Sequence, residues 1–250
     1  MSELLTSRLH EEIVTLAAEY GYLSVDEVSM ITENPRHAYS VLQYLFTKGT
    51  LGTFSTHLRP SRAYYLPDDM KKIVEASGGA RHVERFFPSA YRPTGFHHHT
   101  SLIKVHLTIK KILGDKLIDY IPEPRLKRDL GRQKVCDGEF VFLNNKGEEK
   151  KAGVEVELTL KNAEARRIVA RNLTGYAASN LNAILIFYNQ QIIKERTLET
   201  LEKYGTKQTP VFFLDLAEFL KKRENVLAEG LNGEKVNIFK ARLIDGQGGC

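Results

Sequence analysis

Residues 136–161 read CDGEFVFLNNKGEEKKAGVEVELTLK, and they constrain this chain more than any other stretch. Phe140–Leu143 is an apolar run, Asn144-Asn145-Lys146-Gly147 is turn chemistry, and Val154–Leu160 is a second run rich in β-preferring residues. The pattern predicts a β-hairpin followed by a helix. Side chains alternate across a strand, so Glu155, Glu157, Thr159 and Lys161 are expected on one face. Val154, Val156, Leu158 and Leu160 are expected on the other, where they can enter a core. Two neighbouring carboxylates on one face repel each other, a cost that a bound cation removes. With Asp137 from the preceding strand they make a set of hard oxygens suited to Mg²⁺ or Mn²⁺. The plainer reading is a half-exposed hairpin with ordinary polar residues facing out.

The chain has 250 residues, enough for one large domain or two small ones, and 42% are hydrophobic, enough for a real core. A formal charge of +5 and a pI near 9.0 favour an anionic partner. Cys136 and Cys250 supply neither a disulfide framework nor zinc-ligand spacing, and they suit a reducing compartment, so a cytoplasmic location is expected. No stretch has the length of an uncharged membrane span, and no signal core opens the chain. Rossmann and Walker glycine signatures, a Gly-x-Ser-x-Gly elbow and a His-Glu-x-x-His helix are absent from the sequence.

The first third predicts three helices and a hairpin. Leu9, Ile13, Leu16, Ala17 and Tyr20 recur at helical spacing, and Gly21 ends that helix. Ser24-Val25-Asp26-Glu27 is a capping box opening a second, short helix, with Val28 and Ile31 inward. Asn34 caps a third helix whose first position is Pro35. There Ala38, Val41, Leu42 and Leu45 form an apolar stripe, while Arg36, Tyr39, Ser40, Gln43 and Thr47 lie opposite. Those types suit DNA, with Arg and Gln for base edges and Ser and Tyr for phosphate. Leu51–Phe54 and Ala63–Leu66 predict paired strands around a polar tip holding His57, Arg59 and Arg62. Such an order looks like a winged helix-turn-helix, with Arg59 and Arg62 in the wing. Winged helices also serve protein contacts.

Asp68–Ser77 predicts a helix, and 77–80 predicts a hinge. The expected division is a winged helix over 1–77, a linker over 78–96 and a second domain over 97–250. His97-His98-His99 cannot close on one ion, because consecutive helical positions point about 100° apart. His98 or His99, at a helix start, is expected to face the acidic site or a phosphate, or simply to pack. Leu117–Ile121 predicts a strand. Arg125, Lys127, Arg128, Arg132 and Lys134 predict a basic loop that would hold a phosphate backbone beside a metal site. A helix over 162–179 carries Arg166, Arg167, Arg171 and Tyr176. Strands are expected over 182–188 and 211–214, helices over 190–204 and 217–222, and an edge-like strand over 235–243. A helix joining two apolar strands predicts a parallel pair within a mixed sheet flanked by helices.

The acidic hairpin and its helix resemble the PD-(D/E)xK nuclease fold, in which an acid on one strand and an acid-x-Lys pair on the next cut phosphodiesters with a divalent metal. Asp137 stands at the first acid, with Cys136 where proline is usual. Glu155-Val156-Glu157 stands at the acid-x-Lys position, so a glutamate replaces the lysine, and Lys161 lies four positions on. With a winged helix in front, the chain is similar to the replication-relaxation family of mobile elements, which includes MOBC-type relaxases acting on plasmid transfer origins. The resemblance implies a metal-dependent endonuclease or relaxase that nicks or processes DNA at a specific site. Asp137 and Glu155 would hold Mg²⁺ or Mn²⁺, Glu157 would bind it or orient the attacking water, and Lys161 would stabilise charge on the phosphate. The nucleophile would be water or a tyrosine such as Tyr176. Implied partners are double-stranded DNA, single-stranded at the nick, other relaxosome or replication proteins, and a second copy of the chain. Glu157 and Cys136 equally suit a domain that binds DNA without cutting it, as an accessory factor or regulator. A protein-interaction adaptor is a third reading.

Overall fold

The computed structural model describes residues 7–130, 136–205 and 209–240, apart from the side chains of 172–180. The chain forms two compact units, Met1–Leu107 and Thr108–Cys250.

The first unit runs α1 (Arg8–Tyr20), β1 (Tyr22–Ser24), α2 (Val25–Thr32), α3 (Pro35–Thr47), β2 (Gly52–Ser55), β3 (Arg62–Tyr65) and α4 (Asp68–Ser77). Local chemistry sets the helix ends as the sequence predicts. Gly21 closes α1 at φ +88°, donating its N–H to Ala17, in a backbone region few other residues adopt. The Ser24–Glu27 capping box is formed at the start of α2. Asn34 Oδ1 accepts the N–H groups of Arg36 at 2.9 Å and His37 at 3.2 Å, opening α3. Ala38, Val41, Leu42 and Leu45 are buried, as the stripe requires. The unpredicted β1 joins the hairpin, giving the antiparallel order β1-β3-β2.

The expected linker 78–96 packs into this unit. The Glu84 N–H donates to Ala18 O at 2.7 Å, Lys71 Nζ to Phe86 O at 2.8 Å, and Tyr91 OH to Thr56 O at 3.0 Å. The Phe86 ring lies 4.9 Å from Tyr22 and 5.3 Å from Phe54. Aromatic burial outweighs the flexibility that its Gly and Pro content suggests. The unit boundary falls inside α5 (Phe96–Leu113), which starts three residues before the expected His99.

The second unit is a seven-stranded mixed sheet flanked by helices. Its elements are β4 (Leu117–Pro122), α6 (Glu123–Leu130), β5 (Gly138–Leu143), β6 (Glu149–Glu157), α7 (Ala163–Asn180), β7 (Ala183–Tyr188), α8 (Gln191–Tyr204), β8 (Val211–Asp215), α9 (Leu216–Lys222), β9 (Ala228–Gly230) and β10 (Lys235–Val236). The strand order is β10-β9-β8-β7-β6-β5-β4. Strands β4, β5 and β6 form an antiparallel meander. Strands β6, β7 and β8 are parallel, joined through α7 and α8, and β9 and β10 return antiparallel. Helices are needed for those connections because parallel neighbours cannot be joined by a tight turn.

Three expectations change here. The strand carrying the glutamates runs from Glu149 to Glu157, so Thr159, Leu160 and Lys161 lie beyond it, and Leu160 is 52% exposed. The basic loop is the helix α6 over 123–130. Leu126 is its buried anchor, and Glu123 stands in the first turn where the helix dipole favours an acid. Arg132 and Lys134 lie outside the described residues. The last strand is only Lys235–Val236, with a helical turn at 238–240 that buries Ile238 and Phe239. It does lie at the sheet edge, as expected.

Candidate functional site

Strand register assembles the acidic site. Gly138 pairs with Val154, which brings Asp137 opposite Glu155. Glu155 pairs in parallel with Ile186, and in-register neighbours share a sheet face. Ile186 packs with Ala170 of α7 and Leu201 of α8, so Glu155 and Glu157 project toward the helix-covered side. They are therefore buried, at 6% and 7% exposure, where a half-exposed hairpin would have left them in water. A cleft lies between β6, β7, α7 and α8, with Glu155, Glu157, Thr159, Lys161 and Arg166 among its polar lining. Val169, Ala170, Ile186, Ile193 and Leu201 form its apolar walls.

Asp137 Oδ2 accepts the Val156 N–H at 2.8 Å, and the Glu155 carboxyl hydrogen-bonds that of Asp137. Burial, then the charges of Asp137 and Glu157, push the Glu155 carboxyl well above the usual carboxylate range. Glu157 is engaged differently, taking the Lys161 ammonium at 2.5 Å. Burial pushes Lys161 down, but Glu157, with Glu155 and Asp137 behind it, more than offsets this and leaves it above its ordinary value. Cys136 is wholly buried, and burial followed by Glu155, Glu139 and Asp137 holds its thiol well above the usual range, so it is no nucleophile.

The carboxyl pair fits a divalent cation. Burial and the neighbouring carboxyl favour the protonated form of Glu155, and a bound cation would relieve the same repulsion. Among the described residues, no three His, Cys, Asp or Glu side chains form a group able to hold an ion. Mg²⁺ does not demand one, since one or two carboxylates plus water and substrate phosphates commonly suffice.

The other expected residues are distributed as follows. His99 is engaged within the first unit. It stacks on Tyr22 at 3.8 Å, its Nε2 lies 3.0 Å from the Tyr22 carbonyl oxygen, and burial drops its pKa to about 4. It is a half-buried histidine of the first unit, as is His98 beside it. The Tyr176 backbone lies in α7, and its side chain is outside the described residues. Within α6, Arg125 is bidentate on Asp119 at 3.2 and 2.9 Å, Lys127 pairs with Glu123 at 2.7 Å, and Arg128 with Asp129 at 3.0 Å. These cations already have acidic partners, which weakens the case for a phosphate-holding segment.

In the first unit Arg36, Tyr39 and Ser40 are exposed on α3, and the Ser40 hydroxyl donates to Arg36 O at 3.0 Å. Gln43 is half-buried, and its shielded Oε1 has no hydrogen-bond partner. Arg59 and Arg62 are exposed on the hairpin, and Arg62 hydrogen-bonds the Tyr64 hydroxyl. Sequence reasoning assigned no role at the site to two residues. Glu139 is 1% exposed, with Lys151 Nζ 3.6 Å from its carboxylate. Arg166 spans α7 and α8 at the cleft, donating to the Lys161 carbonyl at 2.5 Å and to Thr200 Oγ1 at 3.4 Å. Nothing in the sequence signals a contact 34 positions apart.

No family model matches the sequence, and no curated protein and no solved structure matches it. Among the described residues no helix is long and apolar enough to cross a membrane. The molecule is a two-unit protein of mixed helix and sheet, with its acidic cleft in the second unit.

Proposed function

We propose that this protein binds DNA with its first unit and cleaves a phosphodiester in the cleft of its second, as a divalent-metal-dependent endonuclease or relaxase-like protein of a mobile element. The observation that carries the reading is the Asp137–Glu155 carboxyl pair in contact, with Lys161 brought to the same cleft. The strand order agrees with the PD-(D/E)xK resemblance: an antiparallel meander carrying the acids, a crossover helix, then a parallel strand. The first unit has the helix-strand-helix-helix-hairpin order of a winged helix, with cations exposed on α3 and the hairpin.

Asp137 and Glu155 would hold Mg²⁺ or Mn²⁺, which when bound polarises the phosphate and lowers the pKa of water. Lys161 would meet negative charge developing on the phosphoryl oxygens. The apolar walls limit water around the carboxyl pair.

The test is nicking of supercoiled plasmid with Mg²⁺ or Mn²⁺. Asp137→Asn and Glu155→Gln are each expected to lower the rate by about 100-fold or more, the scale of losing an electrostatic catalytic group. Cleavage that survives both substitutions rules the site out. Salt-sensitive DNA binding with no cleavage under any divalent ion would leave the accessory-factor or regulator reading, which Glu157 at the lysine position favours.

A further inference from the structure

We infer that Glu157 is a positioning residue that holds Lys161 in the cleft, and not a third metal ligand. The inference rests on the nuclease reading above and assigns work within that site.

Three observations carry it. Strand β6 ends at Glu157, so strand geometry does not aim the side chain of Lys161, four residues later. The Lys161 ammonium is 2.5 Å from Glu157 Oε1, with the glutamate side chain 9% exposed and the lysine 36%. Arg166 Nη1 donates to the Lys161 carbonyl at 2.5 Å while Arg166 Nε reaches Thr200 Oγ1 at 3.4 Å, tying the lysine backbone to α7 and α8. Backbone and ammonium are thus both fixed, from opposite ends of one residue.

Chemistry separates Glu157 from its neighbour Glu155. The Glu155 carboxyl touches another acid, an arrangement a cation relieves. The Glu157 carboxylate already has a cation, and a buried charge with a partner is costly to strip of it. An ion pair between exposed groups would fix little. Here one partner is nine-tenths buried, so the pair has a defined place. The four-residue offset would supply the ammonium that an acid-x-Lys strand carries two positions after its acid.

The test uses the full chain and the variants Glu157→Gln, Lys161→Met and both together, with Glu155→Gln as the metal-ligand control. Circular dichroism melts establish that each is folded, and Glu157→Asp keeps the charge if the glutamine variant is not. Mn²⁺ affinity is read by titration calorimetry, Lys161 accessibility by amine-reactive labelling and mass spectrometry, and cleavage by nicking. Glu157→Gln is expected to raise Lys161 labelling, leave Mn²⁺ affinity nearly unchanged, and slow nicking about 10–100-fold, the scale of losing a supporting contact. The double variant should be no slower than Lys161→Met, because both act through one ammonium. Unchanged labelling overturns the inference. So does a Mn²⁺ affinity loss of about tenfold or more on a par with Glu155→Gln, which would make Glu157 a ligand. A wild type that neither nicks nor binds Mn²⁺ while its labelling responds to Glu157→Gln removes the nuclease reading and keeps the held lysine.

Discussion

Asp137 and Glu155 meet where β5 begins alongside β6, their carboxyls hydrogen-bonded to each other while Asp137 also takes the Val156 amide at 2.8 Å. The relationship follows from one register pair, Gly138 with Val154. Slipping that register by one residue would send Glu155 to the opposite face.

The pair fixes a pH dependence of unusual sign for a carboxyl. The folded protein holds the Glu155 proton above the ordinary carboxylate pKa. The stability it contributes is fully present below the unfolded value, near about 4.3, and is lost as pH rises through the range up to the folded value. Glu155→Gln is therefore expected to gain on wild type as pH rises, by up to about 1.4 kcal/mol per pH unit, without divalent ions. Urea unfolding of both proteins across that range measures it. A difference constant with pH would sink the buried-proton account.

His99 acts in the opposite direction. Its folded pKa of about 4 lies below the ordinary value of 6.5, so the folded state disfavours the proton. Stability is fully present above 6.5 and falls as pH drops toward 4. His99→Gln should flatten that acid limb, read by the loss of native aromatic dichroism on acid titration. An unaltered limb would show that other groups control it.

On the proposed DNA-binding reading, Arg59 and Arg62 set the salt dependence of binding. Replacing both by Ala is expected to flatten the log–log salt slope by about one to two, at roughly 0.9 per phosphate contact. Arg128→Ala should change it little, because its guanidinium already hydrogen-bonds Asp129. Fluorescence anisotropy at several salt concentrations measures both. Equal slopes for wild type and the double variant would remove the β2–β3 hairpin from the proposed interface.

Gly153 is where β6 lets Cys136 approach. A Cβ there would come within 2.9 Å of Cys136 Sγ and 2.7 Å of Leu181 Cδ1. Gly153→Ala should cost about 1–3 kcal/mol by overpacking. Cys136→Ala in the same chain should recover part of that loss, since the two sites share one contact. Chemical denaturation of the single and double variants checks the coupling, and strict additivity would refute it.

Local chemistry was readable in the sequence wherever a residue acts on its own neighbours. The caps at Ser24 and Asn34, the stop at Gly21, the buried stripe of α3, and the hairpin turn after Leu143 all came from short spacings. The parallel pairing of β6 with β7 was also legible, because a helix between two apolar strands leaves few alternatives. Strand alternation also grouped Glu155, Glu157 and Lys161, with Asp137 beside them, while their separate roles came only from the resemblance.

Only the tertiary structure decided how those groups are used. Alternation predicts two faces of a strand, but not that α7 and α8 cover the acidic one and bury Glu155 and Glu157. The basic run became a helix because Leu126 found a core and Asp119, from β4, took Arg125. His99 went to Tyr22, 77 positions away, and Arg166 to Thr200, 34 away. Short-range patterns report what one segment favours. Burial, charge pairing and proton affinity depend on which distant segments share its space, and that is settled only when the chain closes on itself.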